Sequence, residues 1–248
     1  MRIGRSIRAA LAVSALAVIV GTMPAMAAPK PSASFALKGT LKNSVQTSPA
    51  RLAGLGTGAF RDETVGSGTR KVWFTSDSGN GGLWLKKIPA SGRKTYTIEL
   101  RVRSACVMSC GFNKLVGFGA GDDNAGSNFS PGTSTYPDSG LYFWNGQILL
   151  YSVEADDTIL YTWDNTGLAD DTWMTIRLTR KETASGPDAF TVFINGNCAG
   201  TVNDAGGVAV LLNGNAVFGV DDTDEVQPTS FAGIKVWKSA LLPEPCVD

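Results

Sequence analysis

DDTWMTIRLTRKETASGPDAFTVFINGNCAGTV, residues 170–202, reads as a strand, a polar crossing, a second strand, a tight turn and a third strand. Met174, Ile176 and Leu178 alternate with Thr175, Arg177 and Thr179, and Phe190, Val192 and Ile194 alternate with Thr191 and Phe193. Successive side chains leave a strand on opposite faces, so a period of two marks strands with one buried and one polar face. Asn195-Gly196 suits a type I′ turn, whose two central residues both need positive φ. Trp173 is out of phase with its strand. A bulge that turns it into the core is the favoured reading, and an outward-facing ring is the other.

The same signs spread outward from this stretch. Tyr96, Ile98, Leu100 and Val102 share one face of residues 95–103, while Thr97, Glu99, Arg101 and Arg103 form a charge ladder on the other. Strands are expected at residues 35–41, 71–75, 83–88, 112–119, 141–144, 147–153, 158–163, 208–212, 216–220 and 231–237. Asn145-Gly146 repeats the hairpin signal. Residues 43–70 read as long loops around one short strand at 58–61, and 121–140 as a long polar loop. No stretch after the N-terminal segment carries helical periodicity, and no internal repeat is visible. About fourteen short strands without helical connections imply an all-β fold, a two-sheet antiparallel jelly-roll sandwich.

Residues 1–27 have the form of a signal peptide: Arg2, Arg5 and Arg8, then an apolar run over 11–20, then Ala25-Met26-Ala27. A membrane anchor is the alternative reading, disfavoured because the apolar run is short and a small-residue cleavage site follows. Residues 28–34 read as a disordered lead-in, and 35–248 as a single domain. Removing 1–27 leaves 221 residues with 19 basic and 22 acidic side chains, a net charge of −3. That balance argues against nucleic acid, and against a membrane partner once the signal is cleaved. The protein is expected outside the cytoplasm, in the periplasm or beyond.

The 248 residues include no histidine. Ser-His-Asp and Cys-His nucleophile pairs and imidazole-based zinc sites are therefore excluded. Four cysteines in an exported chain suggest two disulfides, with three possible connectivities. Across a hairpin end Cys106 and Cys110 could meet at disulfide distance; that pairing would leave Cys198 with Cys246 and tie the tail to the Asn195-Gly196 hairpin, though the spacing leaves the connectivity open. Closing that loop would contribute roughly 3–4 kcal/mol. A redox or metal role for Cys-Val-Met-Ser-Cys is disfavoured by its three-residue spacer.

The order YTIELRVRS, GLYFWNGQILLYS, DDTWMTIRL, FTVFINGNCAGTV and FGVDDTDEVQPTSFAGIKVWKSAL resembles the laminin-G-like, concanavalin A-like lectin and glucanase group over about residues 70–242. The marks are Trp173 with Ile176 and Leu178 after it, a strand ending in Asn-Gly, and a final strand with Gly233, Ile234, Ala240 and Leu241. The resemblance implies a concanavalin A-like sandwich. It leaves the activity open, because the group includes lectins, hydrolases, lyases and adhesion modules.

Glycan binding needs aromatic rings that stack on sugar faces. Tyr142 and Trp144 share one face of a strand whose other face, Leu141 and Phe143, is also apolar. Trp84 is a third ring, with Lys86 on its side. Burial between sheet and covering loop is the rival reading for all three. Glucanase-like members of the group carry paired glutamates around an aspartate, but Glu154-Ala155-Asp156 lacks the second glutamate. Glu99-Leu100-Arg101 is similar to part of an alginate-lyase strand, but Thr97 replaces its first arginine and the histidine element is missing.

Laminin-G-like domains often hold calcium at the sandwich rim, and the resemblance brings Asp122, Asp123 and Asn124 forward with Asp221, Asp222, Asp224 and Glu225. Their oxygens suit Ca2+ if the two loops meet; no cofactor is otherwise required. The leading expectation is an exported, non-catalytic sandwich that binds a carbohydrate or cell-surface polymer. A divergent glycan-degrading enzyme using Glu99, Glu154 or Asp156 is the first alternative, and a protein-binding adhesion or envelope module the second.

Overall fold

The computed structural model describes residues 28–76, 81–89, 93–118, 140–152, 158–163, 167–186, 188–204, 206–220, 227–241 and 246, with the backbone alone for 152, 158–163 and 212. The predicted signal peptide, the long polar loop, both acidic clusters and Glu154-Ala155-Asp156 lie outside these residues.

In chain order the strands are β1 (Ala33–Phe35), β2 (Arg51–Gly54), β3 (Ala59–Val65), β4 (Gly68–Thr75), β5 (Leu83–Lys86), β6 (Tyr96–Ser104), β7 (Asn113–Gly117) and β8 (Gly140–Trp144). They continue as β9 (Gln147–Ser152), β10 (Thr158–Trp163), β11 (Met174–Lys181), β12 (Ala189–Ile194), β13 (Asn197–Asn203), β14 (Ala216–Phe218) and β15 (Thr229–Trp237). One antiparallel sheet runs β13-β12-β11-β6-β15-β4-β3, with β1 also on β15; the other runs β10-β9-β8-β7-β14-β5-β2. The two sheets form an all-β sandwich. Among the described residues the helical content is the 3-10 turn Leu212–Gly214.

The alternation around residues 170–202 sets the register. Ile176 lies opposite Ile194 and Leu100, and Leu178 opposite Val192 and Ile98. All six are fully buried and belong to the core between the sheets. Fully burying one such side chain contributes about 1.5–3 kcal/mol. Asn195 and Gly196 take φ of 52° and 88°, and Asn145 and Gly146 take 48° and 79°, so both Asn-Gly turns have the left-handed form their hairpins require.

Four expectations are corrected. Residues 43–70 hold β2, β3 and the start of β4 rather than mostly loop. The period is faint because β3 is an edge strand whose Arg61, Asp62 and Glu63 are charged on both faces. Residues 208–212 form turns, not a strand; Asp204 accepts from Gly207 N through its carbonyl and from Ala209 N through its carboxylate, driving Ala209 and Leu211 into the core. The lead-in is ordered where it meets the first sheet. Ala33 pairs with Val236, Ser32 N donates to Val236 O, and Trp237 Nε1 donates to Pro29 O. Strand β1 ends at Phe35 and not at 41, because Leu37 takes a φ of 49°.

Trp173 is corrected too. It faces the outer surface of the eight-stranded sheet, half-buried, with Nε1 donating to Thr64 O at 2.7 Å. No bulge is needed, since its own parity already points it away from Met174.

Of the three possible connectivities the structure has Cys106–Cys110 and Cys198–Cys246. Leading into the second, the tail crosses the outer face of the eight-stranded sheet. Leu241 N donates to Thr97 Oγ1, Thr97 Oγ1 lies 2.9 Å from Ser239 O, and Thr179 Oγ1 donates to Leu241 O.

At one end of the core, Arg180 is almost fully buried, with Nε 2.6 Å from Asp204, Nη2 2.6 Å from Asp188 and Nη1 on Lys94 O. Burial disfavours its charge, but the two carboxylates outweigh that and hold its pKa above the usual arginine value. Beside it Tyr96 Oη donates to Ala209 O at 2.6 Å, and burial pushes the phenol's pKa well up.

Candidate functional site

The two outer faces of the sandwich carry different chemistry. On the seven-stranded sheet, Tyr142 lies opposite Lys114 and Leu149, and Trp144 opposite Gln147. These side chains point away from the core because Leu141, Phe143, Ile148 and Leu150 take the inner positions. Phe112, just before β7, gathers the rings. Its ring centre is 5.7 Å from Tyr142 (edge-on), 6.2 Å from Trp144 (stacked at 25°) and 5.7 Å from Tyr151. Phe112, Trp144 and Tyr151 are each half-buried, whereas Tyr142 is completely buried. Lys114 Nζ sits 5.2 Å from the Tyr142 ring centre, within cation–π range.

The expectation of three accessible rings is therefore corrected. Trp144 alone of the three keeps part of its surface accessible, being half-buried. Trp84, 7% exposed, packs with Val217 and Val220 and carries Lys86 Nζ 3.4 Å over its ring. The sheet order puts β5 three strand positions from β8, about 14 Å at ~4.8 Å per strand, so Trp84 and Trp144 cannot grip one sugar ring together. Phe112 and Tyr151 were missed as site residues. The available signal was parity: Tyr151 and Leu149 point the same way as Tyr142, and an apolar outer face is unusual for a solvated sheet.

The short disulfide loop frames this patch. Asn145 N donates to Cys110 O at 3.0 Å and Gly146 N to Val107 O at 2.9 Å, docking the loop on the β8–β9 turn. Asp170, from the stretch that decided the fold, accepts at Oδ1 from Val107 N and Met108 N. Asn113 Nδ2 holds Cys106 O and Ser104 Oγ from the other side. Met108 is thereby presented at the patch edge, 37% exposed. A Cβ on Gly146 would meet Met108 Cε at 3.1 Å, tighter than ordinary packing, so the turn glycine matters twice.

On the eight-stranded sheet the outer face is ionic. Glu99 takes Lys235 Nζ at 2.8 Å and Arg177 Nη2 at 3.1 Å. Burial alone would raise its carboxyl pKa, but those two cations prevail and hold it below the usual carboxylate range. A carboxylate kept ionised in this way is poorly suited to act as a general acid. Glu63, on the same face, meets Arg61 Nε at 2.5 Å and Arg103 Nη2 at 3.2 Å, with Arg61 Cζ 3.3 Å above the Phe74 ring. Among the described residues, the cations Arg61, Arg70, Arg101, Arg103, Arg177 and Lys235 share this face with the carboxylates Glu63 and Glu99. Among the described residues no group of three or more His, Cys, Asp or Glu is arranged to hold a metal. The four aspartates named for calcium, Asp122, Asp123, Asp221 and Asp222, lie outside them.

No family model and no curated protein matches the chain. Solved structures do. The botulinum neurotoxin serotype D binding domain is 15% identical, with a TM-score of 0.56 over 85% of this chain and 48% of that one. The binding domain of Paraclostridial Mosquitocidal Protein 1 is 12% identical, with a TM-score of 0.57 over 85% and 49%. The chain thus spans about half the length of these toxin domains. Domain 4 of AbnA, an extracellular arabinanase of Geobacillus stearothermophilus in complex with arabinotriose, is 15% identical, with a TM-score of 0.50 over 86% of this chain and 95% of that one. The chain has the concanavalin A-like lectin and glucanase sandwich fold.

Proposed function

We propose that the chain is an exported, non-catalytic β-sandwich that binds a glycan at the patch formed by Phe112, Trp144 and Tyr151. One observation carries the reading: three half-buried rings cluster on an outer sheet face around the buried Tyr142, where a solvated sheet would present polar side chains. Ring faces stack on the C–H faces of sugars, and Gln147, half-buried beside Trp144, supplies an amide for hydroxyls. The clamp of Cys106–Cys110 holds the patch edge before any ligand arrives, which lowers the ordering cost of binding.

Two disulfides support export, since such bonds persist in oxidising compartments. Domain 4 of the arabinanase, which shares the fold, is in complex with arabinotriose, so neutral oligosaccharides are the first ligands to try. The test is a glycan array probed with the secreted chain and with Trp144→Ala. Wild type should retain a defined set of glycans that the variant loses. If wild type retains none, the reading fails; if it releases reducing ends or unsaturated sugars from polysaccharides, an enzyme replaces the binder.

A further inference from the structure

The eight-stranded sheet forks along β15. Its first residues, Thr229 to Phe231, pair with β4, and its later ones, Ile234 to Val236, pair with β1. Between the two pairings the register slips at Ala232, and Gly233 brings no side chain to the outer face. The result is a cleft of about 330 Å³, near the lower end of the ~300–1,000 Å³ usual for small-ligand sites. Arg70 crosses the fork, its Nη2 donating to Ala36 O and Ala232 O, and its buried Nε has no hydrogen-bond partner. Arg101 stands opposite Gly233, with Nη1 3.1 Å from Thr175 Oγ1. Among the described residues neither arginine has a carboxylate partner, although Glu99 and Glu63 on the same face each hold two cations.

We infer that this cleft binds an acidic sugar, a uronate or sulfated residue of an anionic polysaccharide, through Arg101 and Arg70. Guanidinium groups recognise planar oxyanions by paired N–H donors, and here two of them line one concavity whose carboxylate, Glu99, is already held by Lys235 and Arg177. The Thr175 hydroxyl and the carbonyls of Ala36 and Ala232 suit sugar hydroxyls at the same place. Burial already pulls the Arg70 pKa below its ordinary value, a cost that a bound anion relieves. A polysaccharide fits better than an anionic membrane. The one exposed large apolar side chain among the described residues is Met108, which belongs to the other sheet face, so nothing beside the cleft would anchor in lipid. This site is independent of the aromatic patch, which lies across the sandwich.

Titration calorimetry on the secreted chain, at low and at physiological ionic strength, tests the inference. Polygalacturonate and dextran sulfate are the two anionic probes, distinguishing carboxylate from sulfate, and fully methyl-esterified polygalacturonate and dextran are their uncharged counterparts. Wild type should bind at least one anionic probe, and Trp144→Ala, which lacks the neutral-glycan patch, should bind the same probe and neither uncharged one. Arg101→Glu should weaken that binding about tenfold or more. Lys181→Glu, the same charge change at an exposed position on β11, should not, and Trp144→Ala should leave it unchanged. Thermal unfolding of Arg101→Glu should match wild type, because Arg101 bonds only the Thr175 hydroxyl. The inference is overturned if neither polyanion binds, if the uncharged polymers bind Trp144→Ala as well as the polyanions do, if Lys181→Glu costs as much as Arg101→Glu, or if anionic phospholipid vesicles compete on equal terms. Loss of neutral-glycan binding in Trp144→Ala with polyanion binding intact would separate the two sites.

Discussion

The outer faces of the two sheets are made by the same alternation of in and out, yet one presents rings and the other ions. On the β7–β8–β9 side the outward positions hold Tyr142, Trp144, Leu149 and Tyr151, so both faces of the sheet are apolar. On the β6–β11–β15 side they hold Glu99, Arg101, Arg177 and Lys235, mostly paired off. Each face also has its own covalent device. A five-residue disulfide loop clamps the edge of the aromatic patch, and a 48-residue closure ties the tail that crosses the ionic face. The contrast teaches that alternation settles which residues turn outward, while their chemistry settles what the surface can do.

Both faces depend on a common core, so the strongest way to break the comparison is to damage that core. Arg180→Ala leaves Asp204 buried without its cation and should cost about 3–5 kcal/mol, read from urea unfolding, with both binding activities falling together. Replacing Cys198 and Cys246 by serine should cost roughly 3–4 kcal/mol and free the tail, while neutral-glycan retention by the folded fraction persists. The same double change at Cys106 and Cys110 should cost roughly 2 kcal/mol, because its loop is short. Its effect on binding should be one-sided: Met108 and the β8–β9 turn loosen, so neutral-glycan affinity drops and polyanion affinity does not. Trp144→Ala should change stability by less than about 1 kcal/mol but lower neutral-glycan affinity roughly tenfold.

The smallest effect concerns pH and belongs to the ionic face alone. The folded-state pKa of Glu99 lies below its unfolded value, because Lys235 and Arg177 outweigh the burial that would raise it. The stabilisation from Lys235 and Arg177 is therefore complete above the unfolded pKa and is lost as pH falls through the folded one. Solvent screening of the half-exposed Lys235 keeps the effect below about 1 kcal/mol. Glu99→Gln should flatten this part of the acid-side decline in denaturant midpoints. An unchanged profile would mean that the pair contributes nothing measurable. Asp188, held low by its hydrogen bond from Thr183 N and by Arg180, acts in the same direction and would remain in that variant.

Much of the fold was legible because alternation is a local property. Tyr96 to Val102 and Met174 to Leu178 have their inward set written in one run each, and the two Asn-Gly pairs name their own turns. Residues 43–70 were opaque for an equally physical reason: an edge strand need not alternate, and Arg61, Asp62 and Glu63 do not. Arg180 was hidden as well, since an arginine on the inward parity makes sense only when Asp188 and Asp204 converge on it. The patch was half visible. Trp144 announced itself through a strand apolar on both faces, whereas Phe112 sits outside any strand and only the folded chain brings it between Tyr142, Trp144 and Tyr151.

By itself the sequence left the cysteine pairing open among three connectivities but determined the all-β sandwich and the Asn-Gly hairpins, because strand periodicity and turn stereochemistry are set by residues near one another in the chain. Residues 170–202 carried most of that. The tertiary structure alone decided that Trp173 faces outward, that Tyr142 and Trp84 are buried while Trp144 is half-buried, and that Arg70 and Arg101 line one cleft at a fork in the sheet. Exposure and convergence depend on what the rest of the chain lays over or beside a side chain, and no local pattern encodes that.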